Sequence, residues 1–259
     1  MTDAAKLPLM LTELRLPTIG RLWQEFGARA DREGWGAARL LAALCEHELA
    51  ERATRRIARH LAAAGLPAGK TLETFDFAAT PPIRRAHIAA LAQGDAWIEQ
   101  GANILIFGPS GTGKTHVAAA VGAGLIDNGY RALFTRTTDL VQKLQAARRD
   151  LTLPATLARL DKFDCLILDD LGYVRKDQAE TSVLFELIAE RYERRSLIIT
   201  CNQPFGEWGQ IFPDPAITVA AIDRLVHHAT ILELNTESYR RRAAVAEART
   251  SPAAPSPPA

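Results

Sequence analysis

Eight consecutive residues, Gly108-Pro-Ser-Gly-Thr-Gly-Lys-Thr115, have the spacing G-x-x-x-x-G-K-[ST]. Each residue type has a role if the ligand is a polyphosphate. Gly108, Gly111 and Gly113 let backbone amides turn inward with no Cβ in the way. Pro109, Ser110 and Thr112 complete the loop wall. Lys114 supplies a cation for the β- and γ-phosphates, and Thr115 a hydroxyl for Mg2+. The helix that must follow presents the positive end of its dipole to the same anion. His116 is grouped with this loop and otherwise reads as a helix-surface residue.

Two later segments could complete a hydrolytic site. Cys165-Leu-Ile-Leu-Asp169-Asp170 is an apolar run ending in two acids. Acids often end strands, but downstream of a phosphate loop the pair gains meaning. Asp169 is placed to hold Mg2+ through water. Asp170 is placed to orient or deprotonate an attacking water, or else to cap a turn. The run LIITCN ends at Asn202, whose amide can hydrogen-bond the γ-phosphate or the water; its alternative is a turn residue. Arg224 lies on an expected helix, 216–227. It is either a cation offered to a neighbour's γ-phosphate or a solvated helix arginine paired with an acid.

These residues need a scaffold. Short apolar runs at 103–107, 132–135, 165–169, 197–200 and 230–234 read as strands, with helices between them, for example at 116–127 and 177–194. Alternation of this kind indicates a parallel sheet covered on both faces. The N-terminal part differs. Residues 37–64 contain no Gly or Pro until their end, and Leu41, Cys45, Leu49, Ala53, Ile57 and Leu61 recur every four residues. This predicts an amphipathic helix with that stripe as its apolar face. A shorter helix is expected at 19–29. The pattern breaks at Gly65-Leu-Pro-Ala-Gly69. The expected organisation is a small helical domain at 1–69, an α/β domain at 70–249 and a disordered Pro/Ser/Ala tail at 250–259.

The chain has 259 residues, with 31 Lys plus Arg and 30 Asp plus Glu. This excludes a wholesale polycation but not a local basic surface. The longest wholly apolar run is 40–45, far short of the roughly 20 residues that cross a membrane. The N-terminus has no secretory pattern, so a cytoplasmic location is expected. Cys45, Cys165 and Cys201 are too widely spaced for a zinc pattern and odd in number for a disulfide framework, and read as buried small hydrophobes. His227-His228 has no matching ligand set nearby in sequence. Trp97 and Trp208 read as packing residues.

Together GPSGTGKT, CLILDDLGY, LIITCNQPFGEWG and DRLVHHATILELNTESYRRR resemble the IstB/DnaC branch of AAA+ ATPases, on the IstB side, over about residues 7–242. The segment KTLETFDF at 70–77 resembles the family's entry into the ATPase domain. The resemblance implies a P-loop AAA+ core, a five-stranded parallel sheet between helices with no large lid, behind a small all-α domain. It implies ATP and Mg2+ as ligands, Asn202 as the sensor and Arg224 as the arginine finger. It implies homo-oligomers on double-stranded DNA, remodelling of that DNA, and an IstA-type transposase as partner in transposition. Asp170 departs from the Glu that many AAA+ proteins carry, which implies slower turnover.

Residues 131–163 hold seven Lys or Arg against three acids. They read as helices 138–150 and 155–162 separated by Pro154, and resemble the DNA-facing insertion of initiator and loader ATPases. Lys143, Arg148 and Arg149 are candidate phosphate contacts. Arg52, Arg55 and Arg59 form a second candidate surface, diluted by Glu46, Glu48 and Glu51. Contacts of this kind read the DNA backbone and its deformability rather than bases. The alternatives are a DnaC-like helicase loader with the same core, a P-loop kinase lacking its usual lid, and a scaffold that binds ATP without hydrolysing it.

Overall fold

The computed structural model describes residues 3–235 except Pro82, 173–176 and 212–213. The end of the expected α/β domain, 236–249, and the tail at 250–259 lie outside the described residues. By its contacts the chain divides into two compact units, 1–59 and 60–259, within one long helix.

The first unit is helical: α1 (Asp3–Glu13), α2 (Pro17–Glu33) and the start of α3 (Ala37–Ala63). Leu11, Phe26, Ala30 and Leu44 are buried, and Trp35 is stacked between Arg29 and Arg39 at 5.0 and 4.3 Å. The expected apolar stripe of α3 is not its buried face. Leu41 and Leu49 are more than 60% exposed and Cys45 is exposed, whereas Leu44 and Glu48 point inward. A spacing of four advances about 40° per step on a helix of 3.6 residues per turn, so a long run of such steps leaves any one face.

Glu48 has a structural job. Its Oε2 accepts from the backbone N–H groups of Thr18 and Ile19 at 2.8 and 3.1 Å, while Arg52 donates to Oε1 at 3.0 Å. The α2 start has no side-chain cap of its own. The carboxylate from α3 therefore satisfies amides that a helix end would otherwise leave orphaned.

The second unit begins with α4 (Arg85–Gln93) and α5 (Asp95–Glu99). Strand β1 (Ile104–Phe107) leads to α6 (Lys114–Asp127), and β2 (Ala132–Arg136) leads to α7 (Thr137–Arg149) and α8 (Leu153–Leu160). Next come β3 (Cys165–Asp169), α9 (Gln178–Arg191), β4 (Ser196–Cys201), a 3-10 turn (Phe205–Gln210), α10 (Pro215–Val226) and β5 (Thr230–Glu233). Pro154 falls in the first turn of α8, where its missing N–H costs nothing.

All strand pairs are parallel, in the order β2-β3-β4-β1-β5. β1, β3 and β4 are wholly buried, which is why they read as unbroken apolar runs. Leu140, Leu144, Val183, Leu184, Leu187, Leu225 and the fully buried Trp208 form one core cluster with the strands. The AAA+ core expected from the sequence is the fold observed.

Arg191, at the end of α9, is 2% exposed. It donates to the carbonyls of Leu160, Phe163 and Ser196 at 3.1, 2.9 and 3.0 Å. Burial pulls its pKa down to about 10, which still leaves it charged. One guanidinium thus closes the end of α8, the entry to β3 and the start of β4.

Burial alone would raise the Glu48 pKa, but the Ile19 and Thr18 amides and Arg52 outweigh it and hold it below the ordinary value. A depressed carboxylate stabilises fully above its unfolded pKa, about 4.3, and its contribution is lost as pH falls through the lower folded value. Replacing Glu48 by Ala should cost roughly 1–3 kcal/mol in urea unfolding of the full chain at pH 7. The deficit should shrink at pH 3; an equal deficit at both values would show that the charge is not what matters.

Candidate nucleotide site

In a parallel sheet all strand carboxyl ends lie on one edge. Phe107 of β1 pairs with Cys201 of β4, and Arg136 of β2 with Asp169 of β3. The loop after β1, the acids after β3 and Asn202 after β4 therefore emerge together. A cavity of about 420 Å3 lies there, lined by Ser110, Gly111, Thr112, Gly113, Lys114, Thr115, His116, Asp170 and Asn202. The sequence-predicted loop, second acid and sensor residue are thus brought together. Gly108 and Pro109 precede the lining residues, and their carbonyls accept from Lys114.

Two glycines are required by geometry. Gly113 has φ +99°, and a Cβ there would lie 2.8 Å from the Phe75 ring. Gly108 has φ +147°, and its Cβ would meet the Leu234 carbonyl. The Lys114 ammonium is buried and donates to the carbonyls of Gly108 and Pro109, both at 2.8 Å. Thr112 Oγ1 donates to the Pro109 carbonyl at 2.9 Å. The loop is thereby folded into a closed cradle at the start of α6.

Asp169 is 5% exposed and held from three sides. Thr115 Oγ1 donates to its Oδ2 at 3.1 Å, Thr200 Oγ1 donates to its Oδ1 at 2.7 Å, and Thr137 Oγ1 donates to its backbone carbonyl at 2.9 Å. The Thr115 hydroxyl and the Asp169 carboxylate are thus adjacent at the loop, an oxygen donor set suited to a hard cation such as Mg2+. Asp170 follows in the left-handed region at φ +58°, and its N–H donates to Thr200 Oγ1 at 2.9 Å. Asn202 Oδ1 is buried with no hydrogen-bond partner among the described residues. An unmet polar atom at the cavity wall fits a ligand that supplies its own polar groups.

Six of the fifteen residues that line the cavity carry no chemical motif. Gly69, Lys70, Thr74, Phe75, Asp76 and Thr80 also line it. Only the family likeness at 70–77 singled out this segment, and its role was not legible there. His116 belongs to the same wall and is half-buried, a correction to its reading as a surface residue. Its Nε2 lies 2.9 Å from the Thr71 carbonyl and 3.2 Å from Thr74 Oγ1, and its ring meets Phe75 edge-on. Burial foremost, with the charge of Lys70, lowers its pKa against the Thr71 hydrogen bond. A second cavity of about 440 Å3 shares Lys70, Thr115 and Asp170 with the first and is also lined by Arg136 and Asp169.

The other candidates lie elsewhere. Arg224 does not line this cavity. Its guanidinium covers the Phe185 ring at 5.1 Å and donates to the Ala220 carbonyl at 2.9 Å. Lys143 and Arg149 are exposed on α7. Arg148, expected beside them as a phosphate contact, is instead ion-paired with Glu186 and donates to Ser182 Oγ at 3.1 Å. Its charge is neutralised within the chain. Arg52 and Arg55 both approach Glu48, at 3.0 and 3.5 Å. Arg59 is exposed, with its Nε on the Arg55 carbonyl at 3.4 Å. Cys165 and Cys201 are buried as expected; burial pushes the Cys165 thiol up to about 12 and the Cys201 thiol up as well.

Comparison with known proteins gives a coherent result. The family model of IstB-like ATP binding proteins matches residues 9–247. An insertion sequence ATP-binding protein of Sinorhizobium fredii is 68% identical over 94% of this chain and 82% of its own length. One from Geobacillus stearothermophilus is 37% identical over 88% of this chain and 91% of its own. Among solved structures, the DnaC helicase loader superposes with a TM-score of 0.53 at 21% identity, over 65% of this chain and 98% of that one. The last likeness concerns the fold alone.

Thr200 supports both acids through one hydroxyl. Replacing it by Val should lower kcat for ATP roughly 10–100-fold while leaving ATP affinity within a few-fold. Equal losses in kcat and affinity would mean that Thr200 shapes the cavity rather than the acids.

Proposed function

The chain belongs to the IstB-like ATP-binding protein family, and from that premise we propose that it assembles on double-stranded DNA with ATP, remodels the DNA, and helps an IstA-type transposase select and use its target. It is an AAA+ ATPase. The observation that carries the proposal is the convergence of the phosphate loop, Asp170 and Asn202, whose Oδ1 has no partner among the described residues, on one cavity, in a chain whose relatives are named for insertion sequences.

In this reading the loop amides and Lys114 bind the β- and γ-phosphates. Magnesium, held by Thr115 and Asp169, supplies when bound the positive charge that offsets the phosphate oxygens. Asp170 orients the attacking water and takes up its proton. The Asn202 amide turns to hydrogen-bond the γ-phosphate or that water. Arg224 serves a neighbouring subunit, which agrees with its absence from the chain's own cavity lining. Its helix, α10, also carries Val219, which is 69% exposed, an apolar side chain open to a second copy.

Lys143 and Arg149 are the DNA contacts we retain, joined by Arg59; Arg148, Arg52 and Arg55 first satisfy acids of the chain itself. Backbone charge dominates such binding, so affinity falls steeply with salt. The exposed Leu41 and Leu49 of the helical unit, with Leu9, Met10 and Leu14, are the surface we assign to a protein partner. No helix among the described residues is long and apolar enough to cross a membrane, and we place the protein's work in the cytoplasm.

Sedimentation on linear duplex DNA, with and without a non-hydrolysable ATP analogue, tests the assembly. Large complexes should require DNA and nucleotide together, and Lys114→Ala should abolish them. A monomer in every condition would overturn the DNA reading and favour the helicase-loader alternative.

The finger has its own test. Arg224→Ala and Asp170→Asn should each lower ATPase at least 100-fold, and mixing them should restore part of it. No recovery on mixing, with assembly intact, would show that Arg224 does not act across subunits.

A further inference from the structure

The helices α9 and α10 end side by side, away from the nucleotide cavity. Each is followed by a residue in the left-handed region: Glu193 at φ +54° and His228 at φ +61°. Tyr192 and His227 join the two ends, the Tyr192 hydroxyl lying 2.7 Å from His227 Nδ1 and the rings 5.8 Å apart. The Glu193 carboxylate lies 3.4 Å from the same nitrogen, and the rings of His227 and His228 are 3.9 Å apart.

We propose that Glu193, His227 and His228 form a binding site for a borderline divalent metal ion, Zn2+ being the natural probe. One ligand atom from each of the three lies within 4.8 Å of the others. Ligands around a tetrahedral zinc, with bonds of about 2.0–2.1 Å, sit roughly 3.3 Å apart. All three side chains are exposed, so closing a gap of up to about 1.5 Å to the tetrahedral spacing disturbs no core. Two imidazoles and one carboxylate select zinc-like ions over Mg2+ and Ca2+, which favour oxygen ligands alone. Water completes the fourth position.

One further feature supports the assignment. The carboxyl ends of α9 and α10 both present the negative pole of a helix to this point. The Glu193 carboxylate faces His227 Nδ1, so that nitrogen is the one offered to the ion, and the Tyr192 hydroxyl hydrogen-bonded to it gives way when metal binds. Glu193 stands 34 residues before His227, which is why no ligand set was visible in the sequence. Bound metal would clamp the ends of α9 and α10 together. The site is independent of the nucleotide reading.

The test uses the full chain without a histidine tag. Zinc titration by calorimetry should show one ion per chain, and Co2+ should give a saturable visible absorption band. His228→Asn, which tolerates the left-handed backbone, and Glu193→Gln should each weaken zinc at least tenfold. His47→Ala, in the helical unit, should leave it unchanged. Zinc should raise the melting temperature of the parent chain and not that of His228→Asn. Zinc isotherms equal in the parent, His228→Asn and Glu193→Gln, or no saturable binding by the parent, would overturn the proposal.

Discussion

The burial of one carboxylate sets the terms for the rest of the catalytic edge. Asp169 ends a strand that is enclosed on both faces, and a buried carboxylate without partners is costly. The chain satisfies it with threonine hydroxyls from three different elements: Thr115 on α6, Thr200 on β4 and, through the backbone carbonyl, Thr137 on α7. The same bonds fix the start of α6, and hence the phosphate loop, relative to β3 and β4. The position of the loop, of the second acid and of Asn202 thus follows from a single desolvation problem and its solution. Hydroxyls suit this task because they hold the carboxylate without neutralising it, which leaves its charge for a cation.

The sheet and the primary motif were legible for the same reason. A strand buried on both faces must be apolar throughout, and a phosphate loop must carry glycine where φ is positive. Such constraints act on adjacent residues and leave a local trace: the expected strand 165–169 matches β3, and 103–107 begins one residue before β1. The segment 69–80 left no trace because it works by closing over the cavity. Phe75 touches Gly113, and Thr71 and Thr74 hold His116, contacts across about 40 residues that no period records. The Glu193 and His227–His228 cluster was hidden by the same kind of separation.

The helical unit shows the opposite error, a local pattern that misled. Apolar residues at every fourth position suggested a buried stripe, yet Glu48 took the inward place because α2 lacked a cap at its start. An acid within a predicted basic surface looked like dilution. It is instead the acceptor around which Arg52 and Arg55 are arranged, and Arg148 has a similar partner in Glu186. Counting charges along the sequence cannot separate cations that are spent on internal acids from cations that remain for a polyanion. Local charge balance in three dimensions makes that separation, and it leaves a smaller basic surface than composition implied.

The departure of Asp170 from the longer acid common in AAA+ proteins has a backbone explanation. Its φ of +58° lies in a region that Asp and Asn enter several-fold more readily than other residues with a Cβ. The bond from its N–H to Thr200 Oγ1 holds it there, and Thr200 is already committed to Asp169. A glutamate would gain reach but add strain at a position that the neighbouring carboxylate has fixed. The shorter side chain is therefore the one that the geometry of this edge favours. In the proposed role its cost is a longer path to the attacking water.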